Sequence, residues 1–190
     1  MSVLFVLTGC MISGSFAQTG DTGTLAALPK QFAATAVGQA GASAGKSLDL
    51  TIYITGWTTD EQTKSYIDTL KTKKQDGVVS EMEKTEDVGR LAPTGGVGTG
   101  VRFARYSPGK DGGIHIVLAT NRPMSFPELY NSGRSTDYPF TIVTMDIGKD
   151  GKGSGTLAAL CKIKFNKQGE LEIENFGIQP ARLTNIYVQK

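Results

Sequence analysis

The sequence predicts a mainly β protein: an antiparallel barrel or two-layer sandwich of about eight or nine strands with a helical insertion near residues 60–85. Three observations carry this. Short runs of alternating apolar and polar residues recur along the chain, and turns rich in Gly, Asn and Asp separate them. One segment after Thr59 switches to helical spacing.

The first seventeen residues read as an address. Val3-Leu4-Phe5-Val6-Leu7 opens an apolar run that continues through Ile12, and Ser15 and Ala17 occupy the two positions a signal peptidase reads. The run is shorter than the roughly 20 residues a membrane span needs. No Lys or Arg precedes it. Leu7-Thr8-Gly9-Cys10 also resembles a lipobox, which would place an acyl chain on Cys10; cleavage after Ala17 is the preferred reading. Residues 18–30 read as a flexible leader and 31–190 as a single β-rich domain. Once the signal is removed, Cys161 is the one cysteine left, so hydrophobic packing must hold the fold, with Cys161 a small core residue. A net charge of +2 argues against nucleic acid and against an anionic membrane surface. No later apolar run reaches spanning length.

Residues 32–37 form the first expected strand, and a loose turn over 39–47 leads to the second, 48–54. There Leu48, Leu50, Ile52 and Ile54 share one face; Asp49, Thr51, Tyr53, Thr55 and Trp57 share the other. Thr59-Asp60-Glu61-Gln62 has capping-box spacing, and Lys71, Lys73 and Lys74 close the helix it starts, as the helix dipole favours. Tyr66, Ile67 and Leu70 are its apolar stripe. Asp76 can cap a second short helix carrying Val78, Val79 and Met82. Strands follow at 88–91, 101–106 and 114–120. Ser125-Phe126-Pro127-Glu128 starts a short helix ending near Gly133, and strands at 141–147, 156–165, 170–174 and 182–188 complete the chain.

Asp111-Gly112 and Asp150-Gly151 mark hairpins. In the second, a loop with a glycine bulge would set Met145 opposite Leu157 and Val143 opposite Ala159. The last hairpin is the most tightly specified. Leu157, Ala159, Cys161, Ile163 and Phe165 share one parity, and Asn166-Lys167-Gln168-Gly169 turns the chain. Pairing Phe165 with Leu171 then sets Ile163 opposite Ile173, Lys164 opposite Glu172 and Lys162 opposite Glu174.

Few motifs carry chemistry. Gly41-Ala42-Ser43-Ala44-Gly45-Lys46-Ser47 has one residue too few between its glycines for a P-loop and precedes a strand, not a helix. Gly96-Val97-Gly98-Thr99-Gly100 lacks the third-glycine spacing of a dinucleotide fingerprint, and the residues after it alternate like a strand. His115 is the only histidine, which argues against a zinc site and a Ser-His-Asp triad. Asp146 and Asp150 lack calcium-loop spacing, and Glu81, Glu83, Glu86 and Asp87 read as a solvated acidic face. No catalytic residue, metal or cofactor is therefore assigned. The least bland feature is arginine bias: Arg102, Arg105, Arg122 and Arg134 lie within a stretch of five bases and two acids. Arg134, Asp137 and Tyr138 share one loop, a fork for a carboxylate, phosphate or sulfate, or a loop locked to itself.

Arg134-Ser135-Thr136-Asp137-Tyr138-Pro139-Phe140, with Val88-Gly89-Arg90 upstream and Ile173-Glu174-Asn175-Phe176-Gly177-Ile178-Gln179-Pro180 downstream, resembles an uncharacterised family of predicted exported bacterial proteins. The resemblance implies export and brings no activity and no site residues.

The function expected is an exported, non-enzymatic binding or envelope-associated protein, periplasmic or extracellular, whose partner is a small molecule or an envelope component. Its candidate binding residues are Tyr53, Trp57, Arg122, Arg134, Asp137 and Tyr138. The alternatives are an exported hydrolase or isomerase using carboxylates and Tyr138, and a structural or oligomerising module.

Overall fold

The computed structural model describes residues 27, 30–122, 137–176 and 179–189. The expected signal segment, Cys10, most of the expected leader, Arg134 and the expected short helix before Gly133 lie outside these residues.

Ten strands are described: β1 (Lys30–Val37), β2 (Ser47–Ile54), β3 (Gly89–Pro93), β4 (Thr99–Val101), β5 (Phe103–Pro108), β6 (Ile114–Thr120), β7 (Phe140–Ile147), β8 (Lys152–Phe165), β9 (Leu171–Asn175) and β10 (Ala181–Gln189). One α-helix, α1, covers Asp60–Met82. The expected strand at 101–106 is the bent pair β4–β5, interrupted at Arg102, which lifts the count above the eight or nine expected.

All strands pair antiparallel, in the order β4-β3-β2-β1-β10-β8-β7-β6-β5, with β9 attached to β8 alone. The two ends of this order are consecutive in the chain, separated only by Arg102. The sheet therefore curls until one bent strand pairs with β3 at its start and with β6 beyond it. Arg102 N donates to Ala119 O at 3.0 Å across that junction. Counting β4–β5 as one stave and leaving out β9 gives eight staves nearly closed into a barrel. Where β3 stops, the exit of β2 fills the gap. Thr58 N donates to Ala104 O at 2.8 Å, and Ala104 N to Thr58 Oγ1 at 2.9 Å.

An eight-stave barrel encloses a space that side chains can fill. Here Phe32, Leu50, Ile52, Ile54, Leu91, Ile114, Ile116, Leu118, Met145, Ile147, Leu157, Leu183 and Ile186 fill it, each contributing about 1.5–3 kcal/mol by burial. The rows of this interior alternate in size. Met145–Gly155–Leu183 and Ile147–Gly153–Ile186 each set two bulky residues over a glycine. This packing displaces the β7–β8 register by two residues from the one expected: Met145 faces Gly155, and Val143 faces Leu157. The parity holds, but the expected register would have placed two large side chains side by side inside.

A second correction concerns β8. Between the Ile142–Ala158 and Phe140–Cys161 pairs it carries one extra residue, a bulge at Ala159–Leu160. The bulge reverses the strand's parity. Leu157 faces the barrel interior, whereas Cys161, Ile163 and Phe165 face outward into a second core. Beyond the bulge the β8–β9 hairpin has the expected register pair for pair. Asn166 Oδ1 accepts from Gln168 N at 3.0 Å and Glu170 N at 2.9 Å, and Gly169 turns the chain at φ +81°.

The second core lies under α1. Thr59 and Gln62 form the expected capping box. The helix is broken at Lys74 (φ 60°, ψ −167°). In a straight helix Ser65 and Glu81 would stand about 24 Å apart at 1.5 Å per residue, yet Ser65 Oγ donates to Glu81, and Thr69 Oγ1 reaches the same carboxylate at 2.5 Å. Residues 60–73 and 75–82 are thus two legs folded back on each other, with Gly77 at their close approach: a Cβ there would lie 2.4 Å from Lys73 Cβ. The break falls two residues before Asp76, which sits in the first turn of the second leg and not at its cap. Tyr66 and Leu70 from one leg, and Val78 and Met82 from the other, cover Ala119, Phe140, Ile142, Ala158 and Cys161. Burial pushes the Cys161 thiol up to about 12, so it is an inert part of that core. No described helix is long and apolar enough to cross a membrane.

Candidate functional site

The arginine bias resolves largely into fastening. Arg105 donates to Thr58 O (2.9 Å) and pairs with Asp60 (2.6 Å), holding the start of α1 to β5. Arg102 pairs with Asp87 at 2.9 Å and donates to Thr85 O, holding the exit of α1 to the same bent stave. Arg122 enters through its backbone, whose carbonyl accepts from Thr120 Oγ1 and, at 3.4 Å, from Thr141 Oγ1.

Tyr138 belongs to a knot of charge at the foot of β7. Its hydroxyl donates to Glu174 Oε1 at 2.8 Å, its ring meets Phe176 edge-on at 4.9 Å, and Lys162 Nζ stands 4.7 Å from its centroid. Glu174 also accepts from Lys164 at 2.9 Å and pairs with Lys162 at 3.1 Å. The hydrogen bonds from Lys164 and Tyr138 hold the Glu174 carboxyl down at about 2. Glu174 in turn raises both lysines above their ordinary value. At neutral pH the group is a fixed carboxylate between fixed ammoniums, unsuited to passing a proton. Asp137 adjoins this knot; its carbonyl accepts from Gln75 Nε2 at 2.8 Å, tying the loop before β7 to the second leg of α1.

Tyr53 and Trp57 lie elsewhere. β2 and β7 are opposite staves, with three between them in either direction, and they run the same way. Trp57 follows the end of β2 and Tyr138 precedes the start of β7, so the two stand at opposite ends and on opposite walls of the barrel. Trp57 packs on Tyr106, ring centroids 4.9 Å apart. The expected residues that are described therefore do not converge: Asp137 and Tyr138 lie at one end of the barrel, and Tyr53 and Trp57 serve the other side; Arg134 lies outside the described residues.

Tyr53 belongs to a different arrangement. α1 covers the outside of β6, β7 and β8, and the outside of β3, β2, β1 and β10 carries a regular polar and aromatic lattice. One cross-strand row reads Gln189–Gln31–Tyr53–Arg90, and the next reads Lys152–Tyr187–Ala33–Thr51–Ala92. Arg90 lies over the Tyr53 ring with its guanidinium carbon 5.0 Å from the centroid. Gln31 Nε2 donates to Gln189 Oε1. Tyr187 is 48% exposed beside the small Ala33, and Arg90 and Lys152 are exposed. The outward acid of these four strands, Asp49, already accepts from Thr35 Oγ1 at 2.9 Å. Tyr187, Arg90 and Lys152 are not among the residues the sequence singled out. The readable signal was the aromatic ring on the polar parity of β2; Tyr187 shares the sequence parity of Leu183 and is turned outward by the register shift between Leu183 and Ile186.

Among the described residues no group of three or more His, Cys, Asp or Glu is placed to hold a metal ion. No family model, curated protein or solved structure matches this chain.

Proposed function

We propose that this chain is an exported, non-enzymatic binding protein of the periplasm or the cell exterior, and that its ligand docks on the outer face of β3, β2, β1 and β10. The observation that carries the reading is the asymmetry of the barrel. One half of its outside is sealed by α1 over an apolar core. The other half presents a guanidinium stacked on a phenol, a second exposed phenol and an amide pair, ordered on rigid strands. Aromatic rings with a polar tip and stacked arginines supply contact area at low entropic cost, which favours recognition. Several carboxylates that a hydrolase or isomerase could use are occupied by structural partners: Glu174 by lysines and Tyr138, Glu81 by Ser65 and Thr69, Asp60 and Asp87 by arginines. Export is supported by the apolar segment ending at Ala17 and by the resemblance to exported proteins.

Retention on the insoluble envelope fraction of the host cell tests this. The double variant Tyr53→Ala/Tyr187→Ala is expected to wash through, and Lys64→Gln, on the exposed side of α1, to be retained like the wild type. Equal retention of all three would remove the face from consideration.

A further inference from the structure

We infer that the ligand of this face is a carboxylate-bearing polysaccharide; the inference rests on the reading above and names the ligand class. The argument starts from Arg90. The guanidinium lies over the Tyr53 ring, 5.0 Å from its centroid, and Arg90 is exposed, so a cation–π contact restrains the group while leaving it open to a ligand. A planar fork of donors held in advance matches a planar carboxylate, which accepts two parallel hydrogen bonds. Arg90 has the freedom to do this. Its row continues onto Gly100, overhung by the Asp87 carboxylate, and that acid is already paired with Arg102 at 2.9 Å.

The rest of the lattice suits a linked chain of sugar rings. Strands stand about 4.8 Å apart, so the row from Arg90 to Gln189 extends roughly 14 Å across the face, enough for several linked rings. Tyr187 stands directly across from Ala33 and Tyr53 diagonally from it. Two phenols thus flank a shallow floor on which the C–H face of a sugar can rest. Gln31, Gln189 and Thr51 supply amide and hydroxyl groups along both rows. The bases stand at separated corners, Arg90 on β3, Lys152 on β8 beyond β10 and Arg182 on the outward parity of β10. Charges spaced along a row of neutral polar groups match a polymer whose acids are spaced by neutral hydroxyls. A densely charged phosphate chain would call for a continuous basic stripe.

The test uses the full mature chain and three probes: polygalacturonate, dextran and double-stranded DNA, by affinity electrophoresis and calorimetry. Wild type is expected to bind polygalacturonate, with affinity falling several-fold as salt rises from about 0.05 to about 0.5 M. Arg90→Gln and Tyr187→Ala should each weaken that binding about tenfold or more, and Lys152→Gln less. Unchanged thermal unfolding midpoints would show that the variants remain folded. Failure to bind polygalacturonate, or binding insensitive to Arg90→Gln and Tyr187→Ala, overturns the inference. Equal binding to dextran, lost in Tyr187→Ala and kept in Arg90→Gln, overturns the acidic class while leaving the face as a glycan site. DNA bound as tightly through the same residues overturns the polysaccharide. If envelope retention depends on the face while polygalacturonate is ignored, the ligand class fails and the proposed function stands.

Discussion

Glu174 shows how one residue can be both well placed and chemically silent. It takes donors from Tyr138, Lys162 and Lys164, and its folded pKa of about 2 lies below the ordinary value of 4.5. A depressed carboxylate contributes stability that is fully present above its unfolded pKa and is lost as pH falls through the folded value. The raised lysines act with the opposite sign: their contribution is present below the unfolded lysine pKa and is lost as pH rises past the folded one. Glu174→Gln keeps the shape and one acceptor but removes the charge. It should lower the urea midpoint at pH 7 by the equivalent of about 1 kcal/mol, since Glu174 and its two charged partners, Lys162 and Lys164, are partly solvated. The gap to wild type should shrink from about pH 5 downward and close near pH 2. A gap independent of pH would mean that packing, and not charge, holds Tyr138 in place. The Lys162–Glu174 and Lys164–Glu172 pairings were legible in the sequence because charge and apolar parity demanded the same register. Tyr138's place in the knot was not, because it reaches Glu174 from a loop 36 residues earlier.

Among the elements, α1 departs most from its sequence pattern, and the departure has a residue-level cause. Lys74 sits at φ 60°, ψ −167°, a region that essentially only glycine occupies, at a cost of order 1–3 kcal/mol for other residues. Lys74→Gly should therefore stabilise the protein by about 1 kcal/mol, read as a rise in the thermal midpoint. Gly77→Ala should do the reverse, despite alanine's higher helix propensity, because its Cβ would meet Lys73 Cβ at 2.4 Å. If Gly77→Ala stabilises instead, the two legs do not pack as described. A capping box and a basic end announced the first helix in the sequence, and apolar spacing the second, but nothing local announced that they fold back on each other. The same limit explains the strands. Between Gly151 and Ala159 the residues are mostly Gly, Ser and Ala, and small side chains discriminate poorly between registers two residues apart. The choice is made by Met145, Ile147, Leu183 and Ile186 from the neighbouring staves, and the β8 bulge follows from serving two cores with one strand.

At the scale of the molecule, the decisive contact joins the two ends of the domain. β10 lies between β1 and β8, pairing Phe32 with Val188 on one side and Leu183 with Gly155 on the other. Alternation predicted a last strand there, but one of its neighbours, β1, lies more than a hundred residues away in sequence, beyond any local pattern. This is also why residues expected to share a site fell on opposite walls, while Tyr53 found Tyr187 across β1. Closure through the final strand implies that folding waits for it. A chain ending at Pro180 would lose two fully buried side chains, Leu183 and Ile186, worth about 1.5–3 kcal/mol each. It would also lose two ladders of hydrogen bonds at about 1 kcal/mol apiece, a sum comparable to the whole stability of a typical domain. Two unpaired edges on β1 and β8 would then face solvent. Such a chain should show no cooperative thermal transition, and Trp57 emission close to that of the urea-unfolded protein. Adding a peptide of residues 179–190 in excess should restore part of the transition if β10 acts as a stave. A truncated chain that unfolds cooperatively on its own would show instead that β1–β8 make a stable open sheet, with the last strand laid over it.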